Sequence, residues 1–315
     1  MDGCILFIKI VKAINKKSYM KSIYKSLLLL LVASIGTSLY AQQQPNYLFY
    51  QQNMSVINPA FSGSEGQFLS MNYSSSWVGV SEAPRSATLV YNTDIRNNAS
   101  WGFSYLTDKV YVENQGIVSV DYSYRVQLSE TTNLHLGLKG GALYNALDLN
   151  ALNRITNEPN PALSGIENYM NPLLGVGAYI KSEKAYFGIS APNVLNTKRY
   201  KEVNGIAITA TDRPHFYMSG GLNLQLSDQI GFEPSVFYRF VSGAPNLVTA
   251  FANFNFNDQV KVGTGLSNNH YISALILFTG LDRMDIGYGY EMGQRNNSVA
   301  LRANSHELMI KYQLD

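Results

Sequence analysis

Residues 116–144 read GIVSVDYSYRVQLSETTNLHLGLKGGALY. Val118, Val120, Tyr122, Tyr124, Val126 and Leu128 alternate with Ser119, Asp121, Ser123, Arg125 and Gln127. Successive side chains of a strand point to opposite faces of a sheet, so the alternation predicts one apolar and one wet face. After the polar turn Ser129–Thr132 the pattern resumes, with Leu134, Leu136, Leu138, Gly140 and Ala142 set against His135, Gly137 and Lys139. This is a β-hairpin, and its strands exceed the roughly five to six residues common in soluble sheets.

Working outward, strands are expected over 66–74, 85–94, 99–107, 115–128, 133–144, 171–181, 184–190, 214–226, 230–240, 246–256, 258–266, 270–279, 284–292 and 305–314. Most approach the ~9–11 residues that a tilted membrane-spanning strand needs. Leu308, Ile310, Tyr312 and Leu314 are expected outward on the last, with Glu307, Met309, Lys311 and Gln313 inward. Strand 270–279 is apolar on both faces, so its pattern assigns no orientation, and 148–170 has room for a short helix. Links after the even-numbered strands are short, whereas Asn145–Met170, Ala191–Arg213 and Gly293–Asn304 are long. Short periplasmic turns facing longer extracellular loops are the plan of outer-membrane barrels. In lipid every backbone polar group must be paired internally, so such a sheet has to close. The expected fold is all-β: a closed antiparallel transmembrane barrel of about 14 strands over 66–315, preceded by a periplasmic or plug-like segment, 42–65. A soluble β-sandwich would need two aliphatic inner faces and shorter strands.

Composition narrows the function. Of 24 basic and 22 acidic residues, six lysines and Asp2 fall in residues 1–41, so the remainder is net −3 and has no basic patch to suit nucleic acid. Lys16, Lys17, Lys21 and Lys25 precede Leu27–Ala33 and the small residues up to Ala41, which reads as a cleavable export signal cut after Ala41. Met20 is a better start for it than Met1. The one cysteine, Cys4, lies in this leader, so no disulfide or thiolate chemistry is expected of the exported chain. His135, His215, His270 and His306 fall on different strands without ligand spacing, and there is no Gly-x-Ser-x-Gly elbow. No catalytic, cofactor or metal residue is expected. Asp121, Arg125, Lys139, Glu233, Arg239, Lys261, Asp285, Glu291, Glu307 and Lys311 share the wet parity. They would brace a watery lumen, line a selective pore, or bed an inserted segment, since a barrel this wide needs water or a plug.

One stretch remains. Asn46–Gly63 reads NYLFYQQNMSVINPAFSG, in which Asn58-Pro59-Ala60-Phe61 and Gly63 form a turn-rich cluster. It resembles the start of mature PorP/SprF family proteins, with Ser62 where alanine is usual. Trp77-Val78-Gly79 with Ala83-Pro84, Gly175-Val176-Gly177 before Tyr186–Ser190 and Asn193, Glu233-Pro234-Ser235, and Ser305-His306-Glu307 resemble later family segments in the same order. The spelling of Tyr47–Asn58 is closer to SprF-like members. The resemblance implies a non-enzymatic outer-membrane protein of the Bacteroidetes type IX secretion and gliding systems. Its implied partners are outer-membrane lipid, a secreted cargo such as a gliding adhesin with its C-terminal signal domain, and periplasmic machinery. Asn58, Pro59, Ala60, Phe61 and Gly63 are the candidate partner contact. A porin-like channel or hydrophobic-solute transporter is the alternative, and a barrel lipase a third.

Overall fold

The alternation resolves into one large antiparallel sheet, besides a two-residue pairing of Thr197–Lys198 with Thr211–Asp212. The computed structural model describes residues 47–77, 83–111, 113–147, 168–195, 197–198, 211–293 and 304–314. The leader, the Met20 start, Val78-Gly79 of the tryptophan-to-proline segment and most of the 148–170 helix candidate lie outside the described residues. The wall strands are β1 (Phe68–Ser76), β2 (Arg85–Asn92), β3 (Ala99–Val110), β4 (Glu113–Gln127), β5 (Thr132–Leu147), β6 (Tyr169–Ser182) and β7 (Ala185–Ala191). They continue as β8 in two pieces (His215–Leu222 and Leu224–Ser227), β9 (Ile230–Val241), β10 (Leu247–Phe256), β11 (Val260–Ser267), β12 (Tyr271–Leu281), β13 (Met284–Gly293) and β14 (Asn304–Gln313). Each pairs with the next, and β14 pairs with β1 from Gln313 opposite Phe68 to Ser305 opposite Ser76. The sheet is therefore a closed barrel of fourteen strands with no free edge.

Side-chain placement follows parity. Val118, Val120, Tyr124, Leu136 and Leu138 are exposed on the outer wall, while Ser119, Asp121, Ser123, His135 and Lys139 are buried on the inner one. In β14, Leu308, Ile310 and Tyr312 face out, and Glu307, Met309 and Lys311 face in. The outer face is a lipid-like band of Leu, Val, Phe, Tyr and Trp, as a spanning barrel requires.

Two expectations change. The link after β3 is only Tyr111-Val112, because the ladder runs on through Asp108, Lys109 and Val110 opposite the polar Glu113–Gln115. Backbone pairing does not need apolar side chains once the wall has left the lipid, so the apolar pattern ends before the strand does. The ambiguous strand β12 buries Leu275 and Leu277 and turns Phe278 outward. Both its faces are apolar because its inner one packs against Leu48 and Phe49 from the N-terminal segment. The tight turns at the other end carry positive φ at consecutive residues, Asn97-Asn98, Asn257-Asp258 and Asp282-Arg283. This primed-turn geometry matches the twist of adjoining strands, and Asn and Asp tolerate it best.

Leu138 is 57% exposed at mid-wall. Leu138→Arg should destabilise the barrel by about 2–4 kcal/mol in lipid vesicles, and the same change at Thr131, in the short turn, by less than about 1 kcal/mol. Denaturant titration of both variants measures the difference.

Candidate functional site

Residues 47–66 run inside the barrel, from the long-loop half down to the short-turn end where Gln67 leads into β1. Two 3-10 turns organise the segment, Met54–Val56 and Pro59–Phe61. Asn58 starts the second: its side-chain oxygen accepts from Ala60 N at 3.0 Å, and Pro59 follows at the position where a missing N–H costs nothing. Such short turns leave carbonyls unpaired, and a buried carbonyl needs a donor. The wall supplies the donors. Ser190 Oγ donates to Ile57 O at 2.7 Å, Ser123 Oγ to Ala60 O at 3.1 Å and Ser100 Oγ to Ser62 O at 2.6 Å. Lys139 Nζ donates to Ser55 O at 3.0 Å and Lys181 Nζ to Ser64 O at 3.2 Å. In the opposite sense, Leu48 N donates to Glu307 Oε2 at 2.9 Å.

The cluster Asn58-Pro59-Ala60-Phe61 lies on a cleared patch of wall. Gly137 of β5 and Gly177 of β6 are direct cross-strand partners. A Cβ on Gly137 would sit 2.1 Å from Ala60 N, and one on Gly177 would sit 2.1 Å from Asn58 Oδ1. From the same position Asn58 Nδ2 donates to Ala178 O at 3.1 Å. Phe61 meets the edge of Tyr179 with ring centroids 5.5 Å apart. Gly63 turns the chain at φ +79°, and a Cβ there would lie 2.4 Å from Ser100 Cβ. All five residues of the candidate partner contact are thus occupied with the wall, and Ala60 and Phe61 are 0% and 1% exposed.

The upper part of the plug is held largely by apolar contact. Tyr50 packs between Phe237 and Phe251, at 5.0 and 5.3 Å between centroids, and its hydroxyl donates to Ser235 Oγ at 3.1 Å. Burial pushes that hydroxyl's pKa well above the usual tyrosine range, so it stays protonated and able to donate. Leu48 and Phe49 join Leu275, Leu277 and Met309 in a second cluster. Burying each such side chain contributes about 1.5–3 kcal/mol. A cavity of about 10 Å³ remains between plug and wall, lined by residues that include Tyr47, Asn53, Asn72 and Thr88. It has room for about one water.

The inward charges divide by depth. Asp121 and Lys139 pair at 2.8 Å, are 0% and 2% exposed, and hold the Ser55 carbonyl between β4, β5 and the plug. Glu307 takes Leu48 N and also Asn72 Nδ2 at 2.8 Å, while Asn72 accepts from Asn53 Nδ2. Glu233 pairs with Lys261 at 2.5 Å. Lys311 lies 4.2 Å over the Phe68 ring. Glu291 is buried opposite Ser273 and Ser305. Arg239 stands opposite Tyr217. Arg125 and Asp285 serve the short-turn end, Arg125 Nη2 donating to Asn98 Oδ1 at 3.2 Å and Asp285 Oδ1 accepting from Gly280 N at 3.0 Å. Sequence reasoning missed Ser100, Ser123, Ser190, Lys181 and Tyr179. Inward serines look like any wet lumen, and only their register opposite the glycines and the proline-centred turn marks them. Among the described residues no group of three or more His, Cys, Asp or Glu could hold a metal ion.

Lys139→Met strands a buried carboxylate and should cost about 3–5 kcal/mol in denaturant unfolding, most of it recovered by adding Asp121→Asn. Gly177→Val should unseat the plug while leaving the wall folded. Protease cleavage within 47–66, absent from the wild-type protein, reads this out.

A match to the family described as type IX secretion system membrane protein PorP/SprF runs over residues 39–312. No curated protein matches the sequence. Among solved structures, the Ralstonia pickettii toluene transporter TbuX is similar at 10% identity and TM-score 0.50, covering 82% of this chain and 92% of its own. The Pseudomonas putida toluene transporter TodX is similar at 10% identity and TM-score 0.46, covering 82% and 93%. At that identity the TbuX likeness speaks for the barrel fold alone. With the family match spanning nearly the whole chain, the protein belongs to the PorP/SprF family of type IX secretion system membrane proteins, as an outer-membrane β-barrel with its N-terminal segment seated in the lumen.

Proposed function

We propose that this barrel is a non-enzymatic partner in type IX secretion, of the SprF-like kind, which assists the secretion or surface anchoring of a cargo protein such as a gliding adhesin. The observation that carries this reading is the filled lumen. A bore crossed by hydrogen bonds from Leu48 to Ser64 and packed with aromatic rings serves poorly as a solute conduit. It serves well as a stiff platform, because the plug ties separate parts of the wall together: Ser62, Ala60, Ser55 and Ile57 reach β3, β4, β5 and β7, while Tyr50 and Leu48 reach β9 and β14. Cargo and machinery then meet its two rims rather than its interior. Asn58–Phe61 and Gly63 act in partner binding indirectly, by keeping those rims in place. An export signal ending at Ala41 and a mature start at Gln42 fit this placement.

Two measurements test the proposal. In planar bilayers the full mature chain should give no wide, stable open channel. Deleting the gene should remove one large secreted protein from the cell surface without altering outer-membrane permeability to small hydrophilic solutes. A steady, high-conductance channel from the intact chain, or an unchanged surface-protein profile with altered permeability, overturns the reading in favour of a porin or hydrophobic-solute transporter.

A further inference from the structure

The wall is not equally strong all round. β7 is its shortest strand, at seven residues. It meets β6 in six cross-strand pairs, from Lys181 opposite Tyr186 to Val176 opposite Ala191. It meets β8 in six more, from Leu222 opposite Ala185 to Tyr217 opposite Ser190. β4 and β5 share fifteen. Cross-strand pairs are the unit of sheet stability, so β7 is the strand most easily parted from its neighbours. At its lower end the tight turn Glu183-Lys184 joins it to β6, and Ala185 N donates to Ser182 Oγ at 3.1 Å. At the upper end the two strands diverge. β6 runs on to Tyr169, opposite Asn145 of β5, whereas the chain after Ala191 leaves the ladder, and Val194 N donates to Leu174 O at 2.8 Å.

The plug crosses this seam at its upper end. Ile57 O accepts from Ser190 Oγ of β7 at 2.7 Å, and the next residue, Asn58, donates through Nδ2 to Ala178 O of β6 at 3.1 Å. Ser190 stands opposite Gly177, and Ala178 opposite Ile189, so the two bonds fall on neighbouring pairs of the seam. The Asn58 amide lies over both strands. A Cβ on Gly177 of β6 would be 2.1 Å from its Oδ1, and one on Gly188 of β7 would be 3.0 Å from its Nδ2. Lower down, Gln51 Nε2 donates to the Tyr186 hydroxyl of β7 at 2.9 Å. Two consecutive plug residues thus join two strands whose own ladder is short. Outside the seam, Val176, Phe187 and Ile189 are exposed on the lipid-facing wall, and inside it Tyr179 and Tyr186 pack with Met54.

We propose that the β6–β7 seam is a lateral gate, hinged at Glu183-Lys184 and clasped from within by Ile57 and Asn58. While these two residues are seated, the seam is braced. When they leave, the strands part from the Val176–Ala191 end downwards, and the lumen opens sideways to the apolar layer. Unpaired backbone groups are costly in hydrocarbon, so the gate rests shut. Withdrawal of the clasp makes opening easier without leaving the wall permanently open. The gate goes beyond the platform role and stands independently of what cargo the barrel serves.

Hydrogen–deuterium exchange of the full mature chain in lipid nanodiscs tests the gate. Ser190→Ala removes the bond to Ile57 and should speed exchange of the amides of 186–191 about fivefold, the effect of one hydrogen bond. In the same sample the amides of 117–126 in β4 should keep their wild-type rate, which shows the barrel to be intact. Ser123→Ala removes the corresponding bond from β4 to Ala60 and should leave 117–126 within about twofold of wild type, because the long β4–β5 ladder holds that strand. A disulfide engineered by Val176→Cys with Ala191→Cys, opposed across the seam, should suppress the rise caused by Ser190→Ala, and reducing the bridge should restore it. An unchanged β7 rate in Ser190→Ala, a comparable rise in β4 from either serine variant, or a rise that persists with the bridge closed overturns the proposal.

Discussion

A closed wall of fourteen strands encloses more space than its own inward side chains can fill. That space must hold water or chain, and here it holds residues 47–66. Much of the inner surface follows from this one constraint. Where the plug offers bare carbonyls, the wall offers Ser100, Ser123, Ser190, Lys139 and Lys181. Where it offers Leu48, Phe49 and Tyr50, the wall offers Leu275, Leu277, Phe237 and Phe251. Where its backbone comes closest, the wall has Gly137 and Gly177. The lumen is a mould of the segment it contains.

That complementarity decides what a sequence reader can see. The outer face is uniform because lipid is uniform, so Val118, Leu138 and Leu308 announce their strands by parity alone. The inner face answers to a partner that is distant in sequence. Strand β12 looked unoriented because its inward leucines serve Leu48 and Phe49, more than two hundred residues away. The inward charges were legible as a set, but nothing in Asp121 or Lys139 said that they hold Ser55. The proline-centred cluster at Asn58 was legible as a turn, and its seat became visible only when the glycines were placed opposite it. The β3–β4 link was overestimated for a related reason: beyond the lipid, pairing continues where the apolar pattern does not.

The buried Asp121–Lys139 pair shows how the plug gains a single position. Desolvating two charges is costly, and such a pair often adds little net stability. It does penalise alternatives, because shifting the plug would leave Lys139 without the Ser55 carbonyl deep inside the wall. Glu307 has the same effect at the other end, where Leu48 N and Asn72 both claim its oxygens. Between these two fixed points the aromatic contacts can be adaptable without letting the segment slide.

The bond from Leu48 to Glu307 spans 259 positions of sequence. Contacts between such distant parts of a chain slow folding, because loop closure comes before the reward. A chain exported N-terminus first, as an N-terminal leader would dictate, would deliver the plug to the periplasm before any of the wall and its last acceptor in the final strand. Until β14 arrives, Tyr50, Phe61 and their neighbours have no lumen to enter, and they present apolar surface of the kind that holdase chaperones bind. The same residues that make the finished barrel rigid therefore have nothing to pack against until the last strand is in place, and the seam between β1 and β14 closes around the segment that precedes them all.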